Sequence, residues 1–269
     1  MIFSDLIDEL VQESADEGVL GSVTKKGSFG LKIFEANINT PLLSKKFGKA
    51  MGRYVTVNIS PTIHSYHKAR VYLQKQLALV LDSFCDKKKG TTFLVVGLGN
   101  AFVVSDSIGS QVVKNLFATH NIVSVDDFEL GDMACLIPGV SGINGIYTFD
   151  LVKSAINIVQ PNVVIVIDAL TAKNYHRLGN SFQFSNAGIT PGGGVGNKNT
   201  PLCKRTLGVE VISIGVPMMI NARNFSQLEE LPNIVLTPKE IDIFTATCAK
   251  ILSKVINTFV HGDNYKNFM

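Results

Sequence analysis

The amino-acid sequence predicts an α/β fold, in which helices cover both faces of a doubly wound, mainly parallel sheet. Three runs of apolar, mostly β-branched residues indicate the strands, at residues 92–96, 162–167 and 209–214. Runs this uniform are typical of parallel strands that are buried on both faces. Apolar stripes at helical spacing lie next to the first two runs, and strands that alternate with helices form right-handed βαβ units.

The remaining elements follow from local patterns. Residues 1–50 carry no regular period, whereas polar and apolar residues alternate over 53–59, which predicts a half-buried strand. Apolar residues at helical spacing predict helices over 73–84, 108–116 and 151–159. The lysines at 87–89 follow the first of these helices, where positive charge would favour its C-terminus. The segment 237–240 (Thr-Pro-Lys-Glu) predicts a capping box that opens a final helix with a buried stripe over 241–259.

Composition limits the function classes. The 269 residues suit a single α/β domain over 1–269, and 46% hydrophobic against 17% charged residues argues against a disordered chain. A net charge of +3 is too small to predict direct nucleic-acid binding. No apolar run reaches the ~18–20 residues of a membrane span, and no basic residue precedes Lys25, as a secretory signal would require. We therefore expect a cytoplasmic protein with its four dispersed cysteines reduced.

Two aspartates are candidate catalytic residues. Asp168 directly follows the second apolar run, and Asp106 follows the glycine turn after the first, at the start of a helix whose dipole would favour its charged form. Ligands in parallel sheets gather beyond the carboxyl ends of the strands, so both carboxylates could reach one crevice. Their mutual repulsion would then leave one as proton acceptor and one as donor, as water activation against a peptide bond requires. The plainer reading makes Asp106 a helix cap and Asp168 the end of a strand.

The glycine-rich segments match no nucleotide motif. Residue 102 is Phe, so the turn at 97–99 lacks the third glycine of GxGxxG, and 191–198 does not match the P-loop pattern. Bare glycine backbone could instead hold an extended peptide by hydrogen bonds. The candidate substrate-binding residues are Asn100, Arg177, Gly193, Gly194, Asn197 and Lys198. Arg177 and Lys198 could each lower a carboxylate pKa, bind an acidic substrate side chain, or form a surface ion pair.

Several segments, taken in order, resemble the germination protease family, the spore endopeptidases of spore-forming Firmicutes. They are 96–100 (VGLGN) with Asp106, 138–145 (PGVSGING), 167–170 (IDAL), 188–197 (GITPGGGVGN), 214–217 (IGVP) and 236–242 (LTPKEID). The resemblance covers residues 91–220 and continues from 236, and it is fainter over 1–90.

The resemblance implies an aspartic-type endopeptidase that degrades small acid-soluble spore proteins early in germination, in the forespore or spore core. It carries the two catalytic aspartates onto Asp106 and Asp168, and it implies no cofactor, a homotetramer and the phosphorylase/hydrolase-like fold of the hydrogenase maturation endopeptidases. Family zymogens are cut after an acidic residue and before a hydrophobic one. Asp5-Leu6 fits that rule, with 1–5 as a short prosegment.

The sequence departs from the family pattern in three places. Ile7 replaces a small residue, Asn186 replaces an acidic one, and a long insertion is nearly absent from 221–233. Two alternatives stay open beside the family activity. One is a metal-assisted maturation endopeptidase, for which His176 is the only histidine near either aspartate motif. The other is an inactive relative that binds spore proteins without cleaving them.

Overall fold

A computed structural model describes residues 3–14, 22–60, 66–122, 130–192, 200–225 and 234–268. The strands are Val23–Lys26 (β1), Lys32–Ile38 (β2), Gly52–Asn58 (β3), Thr92–Gly97 (β4), Asp132–Leu136 (β5), Val163–Ala172 (β6), Ser181–Ser185 (β7), Glu210–Asn221 (β8) and Val235–Leu236 (β9). The helices are Ile7–Ser14 (α1), Pro41–Phe47 (α2), His67–Asp82 (α3), Ile108–Lys114 (α4), Ser141–Asn144 (α5), Thr148–Val159 (α6), Lys204–Leu207 (α7) and Ile241–His261 (α8).

The strands of the described residues form one mixed sheet in the order β1-β2-β3-β7-β8-β6-β4-β5, with β9 paired to β8. The strands β8, β6, β4 and β5 are parallel, as the apolar runs predict, and this confirms the α/β class. The strands β7, β3, β2 and β1 extend the sheet with antiparallel pairs, so the sheet is mixed rather than mainly parallel. The assignment of 1–269 to one domain stays a prediction.

Helices cover both faces of the parallel strands because successive side chains of a buried strand point to opposite faces. Phe93 and Val95 of β4 pack in the cluster that holds α3, α4 and α8. Leu94 and Val96 pack in the other cluster, beneath α6 and α7. The double covering that uniformly apolar runs predict is therefore present.

The first 50 residues are more regular than their sequence indicates. Within the described part they form β1, β2, α1 and α2, and Phe34, Ala36 and Ile38 of β2 point into a small separate core. These three residues alternate with Glu35 and Asn37, so the strand pattern is present, but only over the five residues 34–38. The segment acquires its structure by pairing with β3, the next strand along the chain.

Two predictions about helix ends are wrong. α8 begins at Ile241 with Glu240 as a cap residue that makes no side-chain hydrogen bond, so the capping box at 237–240 does not form. The lysines at 87–89 lie beyond the end of α3 at Asp82. The Lys87 ammonium instead donates to the carbonyl oxygens of Phe259 and Val260, near the C-terminus of α8. It therefore stabilises a helix end that is distant in sequence.

α8 is, among the described helices, the one long and apolar enough to cross a membrane by length and composition. Its apolar stripe is buried within the molecule, where α8 packs against α3 and α4. The four cysteines are free thiols, of which Cys248 is buried in α8.

Candidate active site

Asp168 lies inside β6 rather than after it, because the strand continues to Ala172. The neighbouring strand β4 ends at Gly97, opposite Ile167, so Asp168 is the first residue of β6 that β4 does not cover. On its other side it pairs with Gly215 of β8. The side chain is almost entirely buried, with 9% of the residue exposed. The Asp168 carboxyl is thus held on a central strand, just beyond the carboxyl end of the neighbouring strand β4.

Asp106 lies in the loop that leaves β4. It ends a short 3₁₀ turn, Val104–Asp106, and its Oδ2 accepts the backbone N–H of Asn100 at 2.7 Å. The cap residue of α4 is Ser107, so the plainer reading of Asp106 as a helix cap is wrong. The carboxylate instead ties together the two ends of the loop 100–106.

Three glycines place Asp106 beside β6. A Cβ atom on Gly99, whose φ is +92°, would lie 1.9 Å from the carbonyl oxygen of Asp106. A Cβ atom on Gly97 would lie 2.2 Å from the carbonyl oxygen of Gly109, and one on Gly109 would lie 2.7 Å from that of Ile167. The glycine turn therefore allows α4 and its loop to approach both strands closely, which is a structural role rather than a nucleotide-binding one.

The two carboxyl groups interact electrostatically and differ in their surroundings. Burial raises the pKa of Asp168 well above its ordinary value, and the charges of Asp106 and Asp5 raise it further, against a hydrogen bond from the N–H of Ala169. Burial also raises the pKa of Asp106, while the N–H of Asn100 opposes that rise. The expected preference of Asp106 for its charged form is thus outweighed by desolvation. Asp168 is the more buried carboxyl, and it holds a proton in preference to Asp106.

The N-terminal segment lies along the far end of β6. Asp5 donates its N–H to the carbonyl oxygen of Thr171 at 2.7 Å, and its Oδ2 accepts the N–H of Thr171 at 2.9 Å. Lys49 lies 3.2 Å from the other carboxylate oxygen of Asp5. Leu6 is fully buried against Leu170 and its neighbours. The predicted processing bond between Asp5 and Leu6 is therefore part of the folded core, and a protease could reach it only after this segment detaches.

Arg177 lies in the ion pairs of α1. Its guanidinium Nη2 is 2.5 Å from Oδ2 of the buried Asp8, and its Nε is 3.8 Å from Oε1 of Glu9. Of its three predicted roles, an ion pair is present, but it is made with the buried Asp8 rather than on the surface as predicted. Asp8 and Glu9 are adjacent acidic residues, which is a sequence signal for a basic partner, whereas Asp5 pairs with Lys49. His176, next to Arg177, is exposed and stacks on Tyr175.

The other candidate residues divide into two groups. Asn100 holds the Asp106 carboxylate through its N–H, and its own Oδ1 accepts the N–H of Phe102 at 3.0 Å. Gly193, Gly194, Asn197 and Lys198 lie outside the described residues. Asn186 is exposed, and its Oδ1 accepts the N–H of Arg53 at 2.8 Å. Within the described residues, no three His, Cys, Asp or Glu side chains are grouped to hold a metal ion.

Comparison with known proteins gives consistent matches. The family model for germination protease matches residues 6–229. The germination protease of Caldanaerobacter subterraneus subsp. tengcongensis is 32% identical, over 93% of this chain and 90% of that protein. The germination protease of Clostridium tetani is 30% identical over 84% of each chain. That of Bacillus cereus is 33% identical over 78% of this chain and 59% of that longer protein.

The similarity extends to solved structures. One of them is the [NiFe] hydrogenase maturation protease HycI from Thermococcus kodakarensis, with a TM-score of 0.40 and 17% sequence identity. The match covers 66% of this chain and 98% of that one.

Proposed function

Because the chain belongs to the germination protease family, and is therefore a peptidase, we propose that it is an endopeptidase that degrades small acid-soluble spore proteins during germination. Asp106 and Asp168 together activate the water that attacks the peptide bond. The observation that carries this proposal is the unequal burial of two interacting carboxyl groups at one edge of the sheet. Such a pair supplies both a base and an acid at the same pH.

The surroundings of the two carboxyl groups support a division of roles between them. Asp106 is the less buried carboxyl and keeps its charge more readily, so it acts as the general base. It takes a proton from water as the water oxygen attacks the scissile carbonyl carbon. Asp168 holds a proton and donates it to the carbonyl oxygen as the tetrahedral intermediate forms. When the intermediate collapses, Asp106 passes its proton to the leaving amine, and Asp168 recovers a proton from the hydroxyl group.

The test is cleavage of a purified small acid-soluble spore protein, followed by mass spectrometry. Asp106→Asn and Asp168→Asn each remove one acid–base group, and we expect each to lower kcat ~100-fold or more. Asp150→Asn changes an exposed aspartate on α6 and should cleave at the wild-type rate. Thermal melts of all three variants establish that they remain folded.

Three results would contradict the proposal. Cleavage that survives both aspartate substitutions would sink the assigned site. Cleavage that EDTA abolishes and a divalent metal restores would instead support the metal-assisted reaction. Binding of the spore protein without cleavage, unchanged when both aspartates become Asn, would indicate an inactive relative.

The setting of the activity is also part of the proposal. The family resemblance supports a setting in the cytoplasm of the forespore or spore core, with the protein acting as a homo-oligomer and without a cofactor. Processing between Asp5 and Leu6 would require the N-terminal segment to detach from β6 first. In the folded chain Asp5 is hydrogen-bonded to Thr171, and Leu6 is buried.

A further inference from the structure

The loop that carries Asp106 exposes several large apolar side chains. Phe102 is 85% exposed, and Val103 and Val104, which follow it, are also exposed. All three lie between Asn100 and Asp106, the two residues whose hydrogen bond closes the loop. The apolar surface is therefore built on the same short segment as the proposed general base.

The loop that follows the adjacent strand β5 also exposes large apolar side chains. Ile143 is 56% exposed, Ile146 is exposed, and Tyr147 is 67% exposed, in the connection between β5 and α6. β5 pairs with β4 in parallel, with Leu136 opposite Val96. The two loops therefore follow the carboxyl ends of adjacent strands, on the same side of the sheet. We call the exposed side chains of these two loops the apolar rim: Phe102, Val103, Val104, Ile143, Ile146 and Tyr147.

Hydrogen bonds within each loop determine its backbone. The carbonyl oxygen of Asn100 accepts the N–H of Val103 at 3.0 Å, and that of Val103 accepts the N–H of Asp106 at 2.8 Å. In the second loop, Asn144 donates to the carbonyl oxygen of Pro138 at 2.7 Å and accepts the N–H of Ile146 at 3.0 Å. The apolar side chains are thus held in solvent by bonded loops, and apolar groups clustered in this way mark an interaction surface.

We propose that the apolar rim binds apolar side chains of the protein substrate next to the scissile bond. This inference rests on the proposed function, and it names the part of the substrate that the site recognises. Phe102 and Asp106 lie on the same short hydrogen-bonded loop, so a peptide bond held at Asp106 would have its flanking residues near Phe102. A second copy of this chain seated on Phe102 would cover the approach to Asp106, which favours the substrate as the occupant.

The experiment measures binding, so that it does not depend on catalysis. In an Asp168→Asn background, the affinity of a small acid-soluble spore protein is measured by fluorescence anisotropy, with and without Phe102→Ser or Tyr147→Ser. Burial of part of an aromatic side chain predicts a Kd raised ~10-fold for each rim variant. The matched control is Ile158→Ser. Ile158 is 79% exposed at the end of α6 that precedes β6, at the opposite edge of the sheet, and its Kd should change less than ~2-fold.

A peptide series tests the contact directly. A synthetic peptide spanning the cleavage site, with its apolar residues replaced by Ser, should bind the Asp168→Asn protein more weakly than the parent peptide does. The same replacement should have little effect once Phe102 is Ser, because coupled contacts are not additive.

Three outcomes would overturn the apolar rim as a substrate site. They are an unchanged Kd in both rim variants, absence of measurable binding by the Asp168→Asn protein, and an oligomer that the rim variants dissociate without any change in Kd. The last result would assign the surface to a second copy of the chain. Loss of binding in the rim variants together with cleavage by Asp106→Asn would refute the aspartate mechanism and leave the rim in place.

Discussion

Asp168 places an ionisable carboxyl group in an environment that excludes water. Its carboxyl lies on a central strand, and the nearby charges of Asp106 and Asp5 add to the cost of ionising it. Folding therefore favours the protonated form of Asp168 more than the unfolded chain does. This preference suits a proton donor, and it has a measurable effect on stability.

The pH dependence of stability tests this residue. Because the pKa of Asp168 is raised on folding, its contribution to stability is fully present below the ordinary aspartate pKa and is lost as the pH rises through the folded value. Asp168→Asn cannot ionise, so we expect it to be more stable than wild type at pH 7, by on the order of 1 kcal/mol or more, and to lose the advantage in acid. Urea unfolding at several pH values measures this difference. Asp150→Asn should keep the wild-type slope, and an equal slope in Asp168→Asn would refute the raised pKa.

Among the elements, the β4–α4 connection determines where Asp106 lies. Gly97 and Gly109 allow the helix to approach the strand, and Gly99 takes a left-handed φ directly beneath the Asp106 backbone. Asn100 then donates its N–H to the carboxylate. The loop geometry thus depends on the absence of side chains at defined positions, and each of them can be tested by adding a methyl group.

Gly99→Ala should displace the loop. Its Cβ would overlap the Asp106 carbonyl oxygen, and its φ of +92° is unfavourable for alanine, so we expect ~2 kcal/mol or more of destabilisation. Cleavage should fall with it, because Asp106 moves. Gly142→Ala is the matched control: its Cβ meets no atom within 4 Å, and its rate and melting temperature should stay near those of wild type. A Gly99→Ala protein with unchanged stability and rate would show that the loop tolerates the shift.

At the scale of the whole molecule, residues 3–8 are bonded to segments that follow β6 and β8 and to the end of β6 itself. Phe3 and Asn224 exchange hydrogen bonds, Asp5 pairs with Thr171, and Asp8 pairs with Arg177. These contacts join parts of the chain that are more than 160 residues apart. They hold the far end of β6, which is the strand that carries Asp168.

Arg177→Met tests how much the ion pair between Arg177 and Asp8 contributes to stability. Asp8 is buried, and its Oδ1 has no hydrogen-bond partner within the described structure, so loss of the guanidinium leaves an uncompensated charge. We expect a loss of ~3–5 kcal/mol in the free energy of unfolding, measured by urea denaturation. The double variant Asp8→Asn/Arg177→Met removes the stranded charge and should recover part of the loss. A single variant as stable as wild type would show that the pair contributes little.

The parts of the candidate site that could be predicted are those marked by neighbouring residues in the sequence, and the parts that could not depend on contacts between distant residues. Asp168 stood out because it directly follows an apolar run, and Asp106 because it follows the glycine turn after another such run. The adjacency of β4 and β6 then brings the two carboxyl groups into one electrostatic environment. Arg177 could not be assigned from its position, because its partner Asp8 lies 169 residues away. The exposure of Phe102 was likewise invisible, since an apolar residue in a loop is as consistent with burial as with solvent.

The sequence by itself determined the α/β class, the parallel core strands and their double covering, because apolar period and β-branching are local properties that packing reinforces. Only the tertiary structure decided the antiparallel half of the sheet, the attachment of the N-terminus, the role of Lys87 at the end of α8, and the proton balance of the aspartate pair. These features arise from hydrogen bonds and desolvation between segments that are distant in sequence. Their energies depend on which groups meet in space, and a local pattern carries no record of that.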